Sequence, residues 1–215
     1  MAEPPSERTR VRRLPERGVY DRPSIDAILD EALICHLAYV VDSEPRVTPT
    51  IHARVGDTLY VHGSNASRTL RATKDGAPVA VEVTLLDGLV MARSAFHHSM
   101  NYRSVMLYGR AREVTDPTEK WNAQRALVDH VAHGRAEDAR MPNDRELNQT
   151  TILAVPIEEA SAKVRTGPPK DEEEDLALPI WAGVLPLRTV PGTPEPDPYL
   201  PEDVAAPGYL TDYRR

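Results

Sequence analysis

The stretch TIHARVGDTLYVHG, which runs from Thr50 to Gly63, decides the fold of this chain. Apolar and polar residues alternate on both sides of the central Gly56-Asp57, as they do in strands that bury only one face. Glycine next to aspartate favours a tight turn between the two strands. The stretch therefore predicts an antiparallel β-hairpin with one core face and one polar face.

The polar face of this hairpin is the first candidate binding surface. A connecting loop of residues 55–57 predicts that apolar residues oppose one another on the core face. The polar residues then pair on the other face, Thr50 with His62 and His52 with Tyr60. Hydroxyl, imidazole and phenol groups in this arrangement suit a planar ligand with polar edges.

Strand and helix signals extend outward from the hairpin. The predicted strands are 35–41, 46–54, 58–63, 78–85, 89–95, 102–114 and 151–157. Asp87-Gly88 predicts a hairpin turn between the fourth and fifth of them. Ser24 and Asp116 are the predicted N-caps of two helices, and a short helix is expected to end near Lys74. This order predicts a mainly β (α+β) fold with an antiparallel sheet or barrel and peripheral helices.

The amino-acid composition argues against some classes of binding partner, namely nucleic acid and membranes. The chain has 215 residues with 26 basic and 33 acidic side chains, a formal charge of −7 and a pI near 5.5. A protein with this net negative charge has no overall electrostatic attraction to nucleic acid. No apolar run approaches the ~18 residues of a membrane span and no signal peptide opens the chain, which predicts a cytoplasmic protein without a membrane partner. The single cysteine, Cys35, is predicted to be buried and inert.

The two ends differ in composition from the middle. Residues 1–23 contain six arginines and are predicted to form a basic arm that lies on the chain's own acidic domain. Residues 24–187 form the predicted core domain. Residues 188–215 are rich in proline and are predicted to form an extended tail.

Three further stretches carry polar groups that suit a ligand. After the hairpin, Ser64, Ser67 and Arg68 surround the start of a helix, which favours an anion. Residues 96–104 place two histidines and several hydroxyl and amide groups between apolar strands, and residues 161–165 add two cations. The histidine spacings do not predict a metal site.

Seven segments, taken in order, carry a family resemblance. They are Ile28–Glu31, Cys35–Leu37, Tyr60–Ser64, Phe96–Ser99, Asn101–Val105, Ser161–Arg165 and Trp181–Val184. Together they resemble the pyridoxamine 5'-phosphate oxidase-related flavoproteins, and among these the nitroimidazole-resistance reductases. The resemblance spans about Arg12 to Leu187. It implies a six-stranded antiparallel split β-barrel that forms a homodimer and binds FMN at the subunit interface.

The resemblance also implies which residues contact FMN. One subunit would supply strand, helix and loop residues, namely Pro49, Thr50, Ile51, His52, Tyr60, Val61, His62, Ser64, Ser67, Arg68, Asn101, Tyr102, Arg103 and Ser104. The second subunit would reach in with Lys163, Arg165 and Trp181. In the classical oxidase an Arg-Lys pair follows the phosphate serine, whereas here Arg68-Thr69 follows it. The resemblance therefore extends to the flavin site and not to the substrate.

The leading hypothesis from the sequence is an FMN-dependent oxidoreductase. A nicotinamide would supply the hydride, and a nitro compound, a quinone or oxygen would accept the electrons. His62, His97 and His98 are candidates for proton transfer, and no residue is assigned a catalytic role. A deazaflavin cofactor, a haem cofactor and a flavin-binding protein without enzymatic activity are the alternatives.

Overall fold

In the computed structural model, residues 2–214 are described, and they form one nine-stranded antiparallel sheet with peripheral helices. The strands are β1 Gly18–Val19, β2 Ile34–Val41, β3 Glu44–Val55, β4 Thr58–Ser64, β5 Asp75–Met91, β6 Ser99–Glu113, β7 Thr150–Pro156, β8 Glu159–Arg165 and β9 Gly183–Pro186. The helices are α1 Arg22–Glu31, α2 Arg68–Thr73, α3 Pro117–Val131, α4 Arg135–Asp138, α5 Asp144–Asn148 and α6 Gly208–Thr211. The predicted mainly β, antiparallel fold is confirmed.

Six of the strands close into a ring. The order is β4-β3-β2-β5-β6-β7, and β7 pairs again with β4. The ring is split at β6, because the start of β6 pairs with β8 and its end pairs with β7. The short strands β1 and β9 add to the outer edges of β8 and β5.

The main core fills the inside of the ring. Alternate residues of every ring strand point inward, among them the fully buried Leu59, Leu107 and Leu153. Helix α1 adds Ile25 and Leu29 to the same core. Burial of this apolar surface is the main stabilising contribution to the fold.

A second, smaller core lies outside the ring. Helix α3 packs there against β4 and β7, and Ala123 contacts a cluster that contains Tyr60, Ile152 and Ala154. Asp116 is the N-cap of this helix, as predicted, and its carboxylate accepts a hydrogen bond of 2.7 Å from the Glu119 amide. One stretch of the ring's outer surface is thereby covered.

The predicted register of the 50–63 hairpin is wrong by one residue. His52 lies opposite Val61, and Tyr60 lies opposite Ala53. The turn contains only Gly56 and Asp57, because Gly56 adopts a left-handed conformation with φ of +57° that permits a two-residue connection. The predicted polar pairs of this face therefore do not form.

The hairpin predicted across Asp87-Gly88 is also wrong. Both residues lie inside the unbroken strand β5, where the register against β6 shifts. Asp87 points to Arg103 on the neighbouring strand, and a Cβ on Gly88 would lie 3.0 Å from the Leu185 carbonyl oxygen. Because Gly88 has no side chain, β9 can approach β5 closely at this point. Glycine within a strand is often found at such close contacts between backbones.

Helix α1 begins two residues before the predicted N-cap. Asp21, and not Ser24, is the cap, and its carboxylate accepts a hydrogen bond of 3.0 Å from the Ser24 amide. Pro23 lies in the first turn, where a missing amide proton does no harm. Cys35 is fully buried as predicted, and burial raises the pKa of its thiol to about 12.

The N-terminal arm lies on the sheet. Arg8 forms an ion pair with Glu159 of β8, Thr9 is buried, and β1 pairs with the same strand. The prediction that the arm lies on the chain's own domain is confirmed. The boundaries at 23/24 and 187/188 stay predictions.

The C-terminal segment is attached at two places. β9 pairs with β5, and at the far end the Tyr213 hydroxyl donates to the Val131 carbonyl at 2.8 Å. Between these places the chain is extended, with Val190 and Tyr199 exposed by 75% and 93%. Within residues 2–214, no helix is both long and apolar enough to cross a membrane.

Candidate functional site

The candidate residues fall into three regions of the fold. The first is the covered face, defined as the outward side of β3 and β4 beneath α3. It holds Tyr60 and His62, whereas His52, which lies opposite Val61, points to the other side of the sheet, towards α1. Val61 lies between Tyr60 and His62 on β4 and is fully buried in the main core.

His52 contributes to a cap on helix α1. Its Nε2 lies 2.9 Å from the Leu29 carbonyl oxygen, and Nε2 of His130 lies 2.7 Å from the Ala32 carbonyl oxygen. The two imidazole rings are 4.8 Å apart. Both carbonyls belong to the C-terminal turn of the helix, where no intrahelical donor remains, so the two imidazoles satisfy acceptors that would otherwise be buried unpaired.

Tyr60 takes part in a hydrogen-bond network with helix α3. Its hydroxyl donates to Glu119 at 2.9 Å, and Arg112 donates to the same carboxylate at 2.6 and 3.1 Å. Arg112 and the Tyr60 hydroxyl lower the pKa of Glu119, and burial and the carboxylate raise the pKa of Tyr60. The phenol is therefore neutral and engaged in joining the sheet to α3.

His62 is half-buried at the end of the covered face. Its Nδ1 is buried and has no hydrogen-bond partner among the described residues. Burial lowers the pKa of this imidazole, because the charged form is poorly solvated there. The ring is consequently neutral at pH 7.

The stability of the protein is expected to fall on acidification, in part through His62. The unfolded chain takes up a proton near pH 6.5, whereas the folded chain does so only at lower pH, so stability is lost as the pH falls through this window. One such group contributes at most about 1.4 kcal/mol per pH unit. Urea unfolding at about pH 7 and about pH 5.5 should give a smaller loss in His62→Gln than in the unmodified protein. Equal losses would assign the acid sensitivity to other groups.

The second region is the loop between β4 and α2. Ser64 Oγ accepts a hydrogen bond from the Ala66 amide at 3.2 Å, and Ser67 Oγ accepts one from the Leu70 amide at 3.4 Å. Both hydroxyls thus cap their own backbone, and Arg68 is exposed. A Cβ on Gly63 would lie 3.0 Å from Leu70, so this glycine allows the helix to pack closely against the strand.

The third region is the open face, defined as the outward side of β2, β5, β6 and β8 with the first half of β3. Strand register aligns five residues in one row across it, namely Pro49, His36, Glu82, Met106 and Ser161. Thr50 and Ile51 follow Pro49 along β3 and are half-buried. Apolar side chains lie uncovered on this face, including Val40 and Val47, which are exposed by 64% and 63%.

A cavity of about 290 Å³, here the arm cavity, lies on the open face beneath the N-terminal arm. Two of the predicted site residues, Ser104 and Lys163, line it together, and Ser104 Oγ donates to the Lys163 carbonyl at 3.3 Å. The other lining residues come from the arm and from neighbouring strands, namely Arg8, Thr9, Arg10, Val11, Arg12, Arg13, Glu82, Val105, Met106, Tyr108 and Ser161. Five cations and one carboxylate line the cavity; Arg8 is paired with Glu159, and Arg10 and Arg12 share Glu7, so Arg13 and Lys163 are the cations without an ion-pair partner among the described residues.

Arg103 is anchored on its own subunit. It donates to Glu31 at 2.7 Å and to Asp87 at 2.8 and 2.9 Å, with a further bond to Glu31. These carboxylates raise the pKa of the guanidinium above its ordinary value. Arg103 thus ties α1 and β5 to β6, next to Tyr102 and Ser104.

A smaller cavity of about 200 Å³, here the end cavity, lies where β8 ends. Arg165 lines it and is bonded to Asn101, which is itself buried. Tyr102 lies opposite Arg165 in the pairing of β6 with β8. Trp181 precedes β9, is 69% exposed, and places its ring 3.0 Å from where a Cβ on Gly183 would lie.

Along β6, about 36 Å of strand separates Tyr102 from Glu113, which contacts the end of α2. The predicted residues near α2 and those near β8 are therefore not brought together within one chain. His97 and His98 lie in the turn before β6, where His97 faces Glu172 at 3.4 Å and His98 Nδ1 contacts the Ser94 carbonyl at 3.1 Å.

Residues of the N-terminal arm line both cavities, although no motif in the sequence predicted them as site residues. Residues 8–13 line the arm cavity, and Glu16 and Arg17 line the end cavity. The recurrence of arginine over residues 8–17 was the available signal, because a basic segment on an acidic domain creates a local positive potential.

Comparison with protein families matches residues 21–164 to the family described as pyridoxamine 5'-phosphate oxidase. Comparison with curated proteins finds no match.

Solved structures give closer matches. The flavocytochrome Anf3 of Azotobacter vinelandii is 43% identical over 99% of both chains, with a TM-score of 0.93. An FAD- and haem-binding protein of Mycobacterium smegmatis is 38% identical over 91% of this chain and 96% of that one, with a TM-score of 0.87. A Bacteroides thetaiotaomicron protein described in terms of 5-nitroimidazole antibiotic resistance is 22% identical over 68% and 86%, with a TM-score of 0.56, and shares the fold.

Proposed function

Since this chain belongs to the pyridoxamine 5'-phosphate oxidase family, we propose that it is a flavin-dependent redox protein whose flavin lies against the open face, in the arm cavity. The carrying observation is the cavity itself, which combines cations and hydroxyl groups with the apolar surfaces of Met106 and Tyr108. Such a surface suits an isoalloxazine ring with a phosphate-bearing side chain. FMN, which the sequence analysis predicted, and FAD, which the M. smegmatis relative binds, are the two forms to test.

The chain's own residues have distinct roles in this proposal. Lys163 supplies a positive charge beside the ring, and this charge favours the reduced, anionic form of a flavin. The side chains of Ser104 and Met106, which β6 holds between β5 and β8, contact the ring. Arg10, Arg12 and Arg13 of the arm exclude water from above. The flavin supplies reversible acceptance of a hydride or of single electrons.

We propose a homodimer in which two open faces meet. Uncovered valines on β2 and β3 supply the apolar surface, and the extended tail supplies side chains such as Val190 and Tyr199 that its own subunit leaves bare. A dimer would also bring the predicted residues near α2 of one subunit towards those near β8 of the other. Sedimentation equilibrium of the protein and of Val47→Asp tests this, with dissociation expected for the variant.

Flavin binding is expected to depend on Lys163. The purified protein should show the two-banded absorption of a flavin, or acquire it on titration with FMN or FAD, with one flavin per subunit. Lys163→Ala should raise the dissociation constant about tenfold, since it removes one charge-assisted contact. The matched control is Lys120→Ala on α3, beside the covered face, which should bind as the unmodified protein does. A colourless protein that ignores FMN and FAD overturns the proposal and leaves a deazaflavin to be tested.

The redox role is tested separately from binding. Anaerobic addition of NADH or NADPH should bleach the flavin absorption, and subsequent addition of oxygen, a quinone or a nitro compound should restore it. A protein that binds flavin and is reduced by neither nicotinamide fits a binding role without turnover.

A second cofactor, haem, is favoured by one observation on the open face. His36 Nδ1 lies 3.1 Å from Glu82, so a proton on Nδ1 is directed to the carboxylate and Nε2 is left for a metal. Imidazoles that ligate metals commonly have such a carboxylate partner. The similarity to a flavocytochrome over nearly the whole chain supports the same proposal.

His36 is expected to hold the haem iron. Protein supplied with haem should show an intense Soret band, and His36→Ala should lose or shift this band while retaining flavin. His133→Ala, which removes an exposed imidazole, is the control and should leave the spectrum unchanged. An unaltered Soret band in His36→Ala would exclude His36 as the ligand.

A further inference from the structure

We propose that the end cavity is an oxyanion site that takes a phosphate group. Arg165, Arg17 and Lys170 line it, together with Glu16 and Thr166. The assignment goes beyond the loop at residues 64–68, which the sequence analysis favoured for an anion.

Arg165 is a buried cation that only neutral groups hold in place. The residue is 7% exposed, and it donates to the Asn101 amide oxygen, to the Gly167 carbonyl at 3.3 Å and to the Pro168 carbonyl at 3.2 Å. Asn101 in turn donates to the Gly167 carbonyl at 3.2 Å. These contacts fix the plane of the guanidinium but leave its charge uncompensated.

The surroundings add positive charge. Within residues 2–214, Arg165, Arg17 and Lys170 have no carboxylate at ion-pair distance, and Glu16 is the one acidic residue that lines the cavity. Burial and the neighbouring Arg17 both lower the pKa of Arg165. Its Nε is buried and has no hydrogen-bond partner among these residues.

A buried charge of this kind is costly unless a counter-ion joins it. Arginine matches the oxygens of a phosphate with a planar, forked set of donors, and a dianionic phosphate compensates more than one cation. The three cations around a cavity of about 200 Å³ therefore fit one phosphate group.

The position of the end cavity links it to the proposed flavin site. Lys163 of the arm cavity precedes Arg165 by two residues on β8, so their side chains share a face and are about 7 Å apart. The phosphate-bearing end of a flavin whose ring occupies the arm cavity would reach Arg165. This second part rests on the proposed function, whereas the oxyanion site itself does not.

Calorimetric titration of the full chain with pyrophosphate tests the site without flavin. Binding is expected, and Arg17→Gln and Lys170→Gln should each weaken it about tenfold, because both residues are at the rim and their replacement leaves the Arg165 contacts intact. Lys120→Gln on α3 is the control and should have no effect, because Lys120 lines neither cavity. Absence of pyrophosphate binding, or weakening by Arg68→Gln and by neither rim variant, overturns the oxyanion site.

Flavin competition identifies the source of the phosphate. FMN should displace pyrophosphate and riboflavin should not, and Arg17→Gln should weaken FMN about tenfold while riboflavin binding stays unchanged. Simultaneous binding of FMN and pyrophosphate overturns the flavin assignment and supports a free phosphate compound as the ligand. Failure to bind riboflavin and FMN alike counts against the proposed function, and it leaves the pyrophosphate result standing.

Discussion

Replacing Leu107 by alanine is expected to lower the free energy of unfolding by about 3 kcal/mol. Leu107 is fully buried in the middle of β6, with Val81 on one side and Ala160 on the other. The substitution removes three carbon atoms from the closed interior of the ring. The surrounding strands are hydrogen-bonded to one another and cannot collapse into the space, so a cavity remains.

Urea unfolding followed by circular dichroism measures this change. Leu176→Ala is the control, since Leu176 is 55% exposed and its replacement should alter the free energy by less than about 0.5 kcal/mol. A loss below about 1 kcal/mol for Leu107→Ala would contradict the closed packing of the ring.

Replacing Arg103 by methionine is expected to cost about 2 kcal/mol. The guanidinium bridges Glu31 and Asp87, and without it two carboxylates from α1 and β5 remain close together with no cation. The side chains are about one-third exposed, so the cost lies between that of a surface pair and that of a buried one.

A double-mutant cycle with Glu31→Gln separates the ion pair from the packing of the arginine stem. The two substitutions together should cost less than the sum of their separate costs. Arg46→Met is the control, because Arg46 and Glu44 form an exposed pair whose loss should be nearly neutral. Strict additivity of the two costs would show that Arg103 and Glu31 act independently.

Local signals in the sequence predicted most elements of the fold. The N-cap at Asp116 and the short apolar runs at residues 35–41 and 151–157 predict α3, β2 and β7, because these features depend on neighbouring residues. The prediction of a turn at Asp87-Gly88 was wrong because this glycine serves a contact with a distant part of the chain. Gly88 accommodates β9, almost a hundred residues later in the chain, and local propensity contains no such information.

The candidate site was harder to predict than the fold. His52 and Tyr60 have the chemistry of ligand contacts, but contacts with α1 and α3 engage them, and these contacts depend on tertiary packing. Arg165 and Lys163 were recognised as cations after a strand. Their proximity to the arginines of the arm depends on the pairing of β1 with β8. Patterns of residues in the sequence do not reveal such a pairing.

The order of the ring strands has a consequence for synthesis of the chain. β4, β3, β2, β5 and β6 are neighbours in the sheet and all precede residue 114, so this open sheet can assemble before the rest of the chain exists. The ring closes only when β7 pairs with both β4 and β6. Helices α3, α4 and α5 lie between β6 and β7 in the chain and are therefore synthesised before β7. Until residues 150–156 leave the ribosome, the edges of β4 and of the end of β6 remain unpaired and open to strands of other nascent chains.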